Sequence, residues 1–348
     1  MIVFAWAGFP QYAARCVGAF VKTTTEKVVV VATRPTVPIE GMEALCGCPV
    51  RWISPDEPFN LSTFQPFNLS TIFVSGWNIP AFNRLRDQVR ARGGRVICLV
   101  DNNFLFSFKE IVKAIRFRLF LRRHYDGFIV PGKAGRRLLR FYGVPDEKIA
   151  EGMYAADETL FTPGPPLEER PKKIIYVGQF CERKNVKRLV EAFCRSLGVQ
   201  AFRRLDGDGW TLELYGSGPL REELNQTIKQ SNNQTIHLHD FLQPEELAAK
   251  YREARIFCLP SLEEHWGLVV HEAALSGCAL LLSDRVGAKE DFLEEGVNGL
   301  SFDPFDVDDM AEKFSEAMTR TFETKTAAEK AREMGLGKFV KAVERLKS

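Results

Sequence analysis

The chain has 348 residues, 45% of them hydrophobic and 26% charged, with a formal net charge of +2 at pH 7. It is longer than one average domain and apolar enough to build two compact cores. No apolar run approaches the ~18 residues of a membrane-crossing helix, and a near-neutral balance without a recognised DNA- or RNA-binding motif argues against a nucleic-acid partner.

In chain order, MIVFAWAGFPQYAAR opens on a strand over 2–6. It lacks a basic n-region, and Arg15 stands where the apolar stretch of a signal peptide would have to continue. Strand-like runs at 27–32, 72–75, 96–100 and 127–130 alternate with helical or loop segments, the pattern of a parallel sheet with helices on both faces. A Pro-rich stretch, TPGPPLEERP at 162–171, interrupts the pattern and reads as a linker; the alternation resumes at Ile174. The duplicated PFNLST at 58–63 and 66–71, and NQTI at 225–228 and 233–236, lack the ~20–50-residue period of a repeat architecture. They read as local loop duplications, and their sequons carry little meaning without an export signal.

Charge is shared unevenly. Residues 1–165 hold 21 Lys+Arg against 14 Asp+Glu, a balance of +7, which leaves −5 for the remainder of a chain whose total is +2. The excess concentrates in 104–123, FLFSFKEIVKAIRFRLFLRR, and continues in Arg136, Arg137 and Arg140. Phe and Leu interleaved with Lys and Arg fit an amphipathic segment on anionic lipid, and equally a core-facing helix with a solvated basic face. The eight cysteines, at 16, 46, 48, 98, 181, 194, 258 and 278, show no ligand spacing apart from Cys46-x-Cys48. Most sit in apolar runs typical of reduced thiols, so a cytoplasmic protein without structural metal is expected.

The densest chemistry lies late. ARIFCLP at 254–260 is a short apolar run ending at a proline and reads as a buried strand. Ser261–Gly267 then reads as a loop and Leu268–Ser276 as a helix with Gly277 as its C-terminal cap. That order places Glu264 in the loop and Glu272 about one turn inside the helix. The backbone N–H groups of Gly267, Leu268 and Val269 would face the crevice at the carboxyl end of the strand, where the helix dipole and free donors favour a phosphate. Spacing alone is equally consistent with two solvated surface glutamates.

Five segments in order change that balance. The Glu-x7-Glu spacing in SLEEHWGLVVHEAALSG resembles the retaining family-4 glycosyltransferases, as do IIYVGQFCERK at 174–184, LELYGSGPL at 212–220, the strand-to-Pro-Ser stretch 236–260, and DRVGAKEDFLEEGVNGLSFDP at 284–304. The resemblance spans about residues 172–315. It implies a GT-B fold, an α/β architecture of two Rossmann-like domains facing across a cleft. Residues 1–161 would form the acceptor-binding domain, 162–171 the linker and 172–327 the donor-binding domain, with 328–348 packing back on the first.

The resemblance also implies roles. Lys184 matches the lysine that binds the donor diphosphate and steadies charge on the leaving group; Glu272 matches the carboxylate that holds the nucleotide ribose, and Glu264 the one that contacts the transferred sugar. Leu268, Val269 and Gly267 would offer backbone N–H groups, while Gly178, Gly216 and Gly218 line the nucleotide turns. The family arginine is Gln179 here, with Arg183 beside Lys184 able to compensate. In the first half, Gly8 occupies the place of the N-terminal glycine loop near the diphosphate. Residues 129–161 resemble a family segment in which Asp157 and Phe161 are retained. After RVICLV the family usually carries a histidine, whereas this chain has Asp101-Asn102-Asn103, and Asp101 is the positional match.

Other constellations are poorer. Asp206-Gly-Asp208-Gly looks like a metal motif of a different transferase fold but reads as a turn. His237 and His239 face one side of a strand without a third ligand. The expectation is therefore a metal-independent, cofactor-free retaining glycosyltransferase. It would move a sugar from a nucleoside-diphosphate sugar to a hydroxyl of a saccharide or lipid-linked acceptor, in polysaccharide or glycolipid biosynthesis, in the cytoplasm or at the inner membrane face. Two alternatives stay open: a nucleotide-sugar-binding subunit without turnover, suggested by Gln179 and Asp101, and a GT-B-type sugar-nucleotide epimerase.

Overall fold

A computed structural model of the chain describes every residue except 36–40, 57–69, 202–208, 231–233 and 348. The PFNLST duplication, the second NQTI in part and the Asp206/Asp208 pair lie outside the described residues. The chain divides into two compact units: Met1–Asp157 with Met334–Ser348, and Glu158–Glu333.

In the first unit, strands and helices alternate as β1 (Ile2–Trp6), α1 (Gln11–Val21), β2 (Val28–Thr33), α2 (Met42–Cys46), β3 (Val50–Ile53), β4 (Thr71–Ser75), α3 (Pro80–Ala91), β5 (Arg95–Leu99), α4 (Phe108–Arg116), β6 (Gly127–Val130), α5 (Lys133–Phe141) and β7 (Ile149–Glu151). The seven strands form one parallel sheet in the order β3-β2-β1-β4-β5-β6-β7. Every residue of β1 and β2 is buried, as expected of strands covered by helices on both faces. The two strands not apparent in the sequence are the short edge ones. Arg51 in β3 faces solvent, and β7 is three residues long, so neither produces an apolar run.

The second unit repeats the design with β8 (Lys173–Val177), α6 (Val186–Ala201), β9 (Thr211–Tyr215), α7 (Arg221–Gln230), β10 (Ile236–His239), α8 (Pro244–Glu253), β11 (Ile256–Leu259), α9 (Leu268–Leu275), β12 (Ala279–Ser283), α10 (Lys289–Phe292), β13 (Gly299–Phe302), α11 (Val307–Thr319) and α12 (Lys325–Glu333). Its six parallel strands run β10-β9-β8-β11-β12-β13. Local signals set the helix starts: Pro244 occupies the first turn of α8, and the Asp306 carboxylate accepts from the Asp308 and Asp309 N–H groups at the start of α11. The last helix, α13 (Leu336–Lys347), packs in the first unit. Phe339 meets Phe4, which stacks on Phe73 at 4.9 Å, and Leu346 lies against Gly127.

The Pro-rich stretch 162–171 is not a free linker; it is built into the second unit. Arg170 is buried and donates to Pro165 O at 2.8 Å, Ala254 O at 2.8 Å and Ser276 O at 3.0 Å. Gly164 lies so close to the Arg252 backbone that a Cβ there would come within 2.4 Å of its carbonyl. Proline and charge are linker signals only while their partners are unknown, and Arg170 pairs with carbonyls far along the chain.

The segment 104–123 also differs from a single amphipathic helix. It is α4 followed by a π turn, Phe117–Leu121, and a 3-10 turn, Arg122–His124. Ala114 and Phe117 are its buried members; Phe117 packs against Trp77, Phe128 and Tyr142. Phe106, Phe108, Val112, Ile115, Leu119 and Phe120 are exposed, so the segment divides its apolar side chains between the core and an uncovered face.

Candidate functional site

Both sheets have the doubly wound order in which the first strand of the unit sits beside the fourth, and ligands of such sheets bind at the carboxyl ends of those strands. In the second unit these strands are β8 and β11. The loop after β8 carries Gly178 to Lys184, and the loop after β11 carries Ser261 to Gly267. Residues eighty positions apart are thereby brought together.

Lys184 closes a 3-10 turn, Glu182–Lys184, and its Nζ donates to Glu264 Oε2. Both side chains are 11% exposed. The same oxygen accepts from Ser261 Oγ at 3.1 Å, and Arg183 Nη1 lies 3.6 Å away while donating to Glu263 O at 2.7 Å. Two cations and a hydroxyl thus converge on one carboxylate oxygen. Asn185 supports the turn from below. It adopts φ +58°, and its buried amide donates to Pro260 O at 3.1 Å and Pro304 O at 2.9 Å, tying the Lys184 turn to the ends of β11 and β13.

Glu264 is placed by a backbone bridge to Val286. Its N–H donates to Arg285 O, Gly287 N–H donates to Glu264 O, and Ala288 N–H donates to Trp266 O at 2.9 Å. Gly287 is needed for this approach, since a Cβ would lie 2.0 Å from His265 O. Trp266, buried against Phe292 and His271, donates Nε1–H to Asp291 at 2.8 Å. Gly267 at φ +97° then turns the chain into α9. The N–H groups of Gly267, Leu268 and Val269 have no acceptor among the described residues, as expected of the first turn of a helix. Unpaired donors and a helix dipole beside two cations are features that favour an anion.

Glu272 lies on α9, and its Oε2 accepts from the Tyr251 phenol at 3.0 Å. Burial pushes its carboxyl up to about 7, with the Tyr251 hydrogen bond pulling the other way. His271 is a core residue, stacked on Phe292 at 4.8 Å with Nε2 2.8 Å from Ala331 O. His265 is exposed.

The turns before the site are locked by close backbone approach. Gly178 N–H donates to Tyr215 O, and Phe180 N–H to Ser217 O at 2.8 Å. A Cβ on Gly216 would lie 1.9 Å from Gly178 O, and one on Gly218 2.5 Å from Phe180 O. These glycines therefore let two loops touch each other, a role that the turn pattern alone does not reveal. Gln179, in the place of the family arginine, is exposed, and its carbonyl accepts from the Tyr176 phenol at 2.8 Å.

Gly8 and Asp101 belong to the first unit. Gly8, at φ +55°, donates its N–H to Thr33 Oγ1 at 2.8 Å, and Asp101 Oδ1 accepts from the Tyr154 phenol at 2.6 Å. Tyr154 packs on Tyr12, whose phenol is pushed up by burial and then by Asp101. Asp157 pairs with Arg15 at 3.0 Å. His239 lies 2.6 Å from Glu213 and stacks on Tyr215. Among the described residues no cluster of three or more His, Cys, Asp or Glu is arranged to hold a metal ion. Sequence reasoning missed Ser261, Asn185 and Tyr251. Only an Asn in a left-handed turn has any sequence signal, and that signal is weak.

Known proteins share stretches of this sequence and its fold. The D-inositol 3-phosphate glycosyltransferase of Corynebacterium efficiens is 28% identical over 218 residues, 56% of this chain and 49% of that protein. The putative colanic acid biosynthesis glycosyltransferase WcaL of Escherichia coli is 32% identical over 131 residues, 37% of this chain and 30% of that protein. The chain thus spans less than half the length of these curated relatives. Among solved structures, HepE of Anabaena in complex with UDP and glucose matches with a TM-score of 0.72 at 15% identity, covering 99% of this chain and 98% of that one. The pneumococcal O-GlcNAc transferase GtfA in complex with UDP and GlcNAc gives 0.71 at 12% identity, covering 100% and 98%. Likeness at this level shows the fold, GT-B with two Rossmann-like domains. The family model described as "Glycosyl transferases group 1" matches residues 159–334, just over half of the chain and the whole of the site built around Lys184, Glu264 and Glu272. The chain belongs to that glycosyltransferase family.

Proposed function

We propose that the protein is a metal-independent, retaining glycosyltransferase that moves a sugar from a nucleoside-diphosphate sugar to a hydroxyl of a saccharide or lipid-linked acceptor. The observation that carries this reading is the Lys184–Glu264 pair, with Arg183 beside it, at the carboxyl ends of β8 and β11 in the unit where α9 begins with unpartnered N–H groups. Lys184, Arg183 and those amides would take the diphosphate and stabilise the charge that grows on it as the sugar leaves. Glu264 would accept from sugar hydroxyls, and Glu272 from the ribose. Orientation and charge stabilisation carry the rate, and the departing phosphate takes the acceptor proton from the same face.

Thermal unfolding with UDP, GDP and ADP and their sugars tests the donor site. A ligand at ~100 times its dissociation constant stabilises the native state by about 2.7 kcal/mol. One nucleotide series is expected to stabilise the wild type and not Lys184→Ala; no response to any would overturn the reading. Binding without turnover on any acceptor would instead favour a nucleotide-sugar-binding subunit.

The acceptor reading has its own support. Among the described residues, seven of the ten exposed large apolar side chains fall within 106–120, beside exposed Lys109, Lys113, Arg116 and Arg123. Arg118 is not part of that charged face, since it donates to the Phe141 and Tyr142 carbonyls and anchors the π turn. No helix among the described residues is long and apolar enough to cross a membrane. A basic apolar face on a short helix suits the headgroup layer of an anionic bilayer, and a lipid-linked acceptor at the cytoplasmic face would be reached from there. Sedimentation with phosphatidylglycerol vesicles is expected to carry the wild type down and leave Val112→Glu/Leu119→Glu in solution. Equal behaviour of the two would refute the contact.

A further inference from the structure

Glu272 is unusually placed for a carboxylate. Among the described residues its side chain has one hydrogen-bond partner, the Tyr251 phenol at 3.0 Å on Oε2, although an ionised carboxylate offers about four acceptor positions. Oε1 is left with capacity to accept and with no protein donor committed to it. A ligand that brings two adjacent hydroxyl donors, a vicinal diol, matches that vacancy in chemistry.

Tyr251 is built as a rigid pin. It is fully buried on α8, its ring lies edge-on to Phe161 at 5.9 Å and tilted on Phe257 at 5.9 Å, and Cys278 Sγ donates to its carbonyl at 3.2 Å. With the ring held by two aromatic neighbours, the hydroxyl has essentially one place to point, toward α9, where it reaches Glu272 and comes within 3.5 Å of Val269 O. A buried phenol needs a partner, and a helix glutamate with three rotatable bonds needs an anchor. The contact meets both needs and fixes which carboxylate oxygen stays available.

We propose that Tyr251 is a positioning residue that fixes the Glu272 carboxylate for the ribose diol, so that nucleotide affinity depends on the ribose hydroxyls through Tyr251. This rests on the reading of Glu272 as the ribose carboxylate. Tyr251 touches neither donor nor acceptor; it acts by removing the rotamer freedom of Glu272 before the ligand arrives, the usual source of affinity in a preorganised site.

Calorimetric titration with the stabilising nucleoside diphosphate and its 2′,3′-dideoxy analogue separates the two claims. The wild type is expected to prefer the ribonucleotide, and Glu272→Gln to lose that preference. Absence of preference in the wild type overturns the ribose reading and the proposal together. Given the preference, Tyr251→Phe is expected to reduce it by roughly tenfold, the effect of one hydrogen bond to a charged group, with affinity for the dideoxy analogue unchanged. Equal loss for both ligands, or an unchanged preference, would leave the ribose reading standing and overturn the positioning role. Phe keeps the ring between Phe161 and Phe257, and a melting curve verifies its fold. If it is unfolded, Tyr251→His takes its place; it is expected to hold a preference between those of the wild type and Glu272→Gln, and a value equal to that of Glu272→Gln would overturn the proposal.

Discussion

Lys184→Ala removes the ammonium group from a carboxylate that cannot return to water. Glu264 keeps Ser261 Oγ at 3.1 Å and gains what it can from Arg183, 3.6 Å away and 47% exposed. Breaking a buried ion pair by deleting one partner costs about 3–5 kcal/mol. With a hydroxyl and a half-solvated guanidinium among the groups that remain, the low end, about 3 kcal/mol, is expected. For a unit the size of Glu158–Glu333, 1 kcal/mol moves Tm by about 2–4 °C, so the transition of this unit should fall by roughly 6–12 °C in calorimetry. The diagnostic arm is Lys184→Ala/Glu264→Gln, which removes the stranded charge. If the pair is as buried as the structure shows, the double variant melts above Lys184→Ala although it carries one more substitution, a coupling of about 1–2 kcal/mol. A single variant within about 1 °C of the wild type, or strict additivity in the double, would refute the argument from burial.

Three further outcomes follow from geometry. Gly216→Ala places a Cβ 1.9 Å from Gly178 O at φ +153°, a backbone clash without a flexible side chain to yield; it should destabilise by at least ~3 kcal/mol, read from the same melting transition. Asn185→Ala loses two hydrogen bonds to buried carbonyls and places a Cβ-bearing residue without local hydrogen bonding at φ +58°, whereas Asn185→Gly loses only the hydrogen bonds. Glycine should therefore be the less damaging by about 1 kcal/mol in denaturant titration. Glu272 gives a pH signature. Its carboxyl stands at about 7 against an ordinary 4.5, so the folded protein binds the proton more tightly. The resulting stabilisation is fully present below about pH 4.5 and is lost as pH rises through about 7. The stability of Glu272→Gln relative to wild type should rise by up to about 3 kcal/mol between pH 5 and 8; a flat difference would show that the carboxyl is not desolvated.

Much of the second half was legible because the informative residues are local. ARIFCLP predicts the strand β11, Gly277 ends α9 at φ +71°, and Glu264, Gly267 and Glu272 fall in the loop, at the turn and on the helix as their spacing suggests. What could not be read was which distant groups occupy the same space. Gly216 and Gly218 look like ordinary turn residues until Gly178 and Phe180 are found against them. Arg170 looks like linker charge until the Ala254 and Ser276 carbonyls surround it, and Tyr251 is one aromatic residue among many until its hydroxyl meets Glu272. The first half was harder because its edge strands are short and its apolar segment 104–123 has no sequence mark that tells an exposed face from a core face.

Apolar periodicity, glycine and proline placement and motif order thus determined by themselves that this chain forms two parallel α/β units and carries the motifs of a glycosyltransferase family, since each is a property of neighbouring residues. Only the tertiary structure decided that Lys184, Arg183 and Ser261 share one oxygen of Glu264, that Asn185 ties the Lys184 turn to the ends of β11 and β13, and that 106–120 leaves most of its large apolar side chains exposed. Those facts depend on the parallel pairing of β8 with β11 at the centre of a doubly wound sheet and on what the rest of the fold leaves uncovered. Neither the pairing nor the uncovered face is encoded within any single stretch of chain.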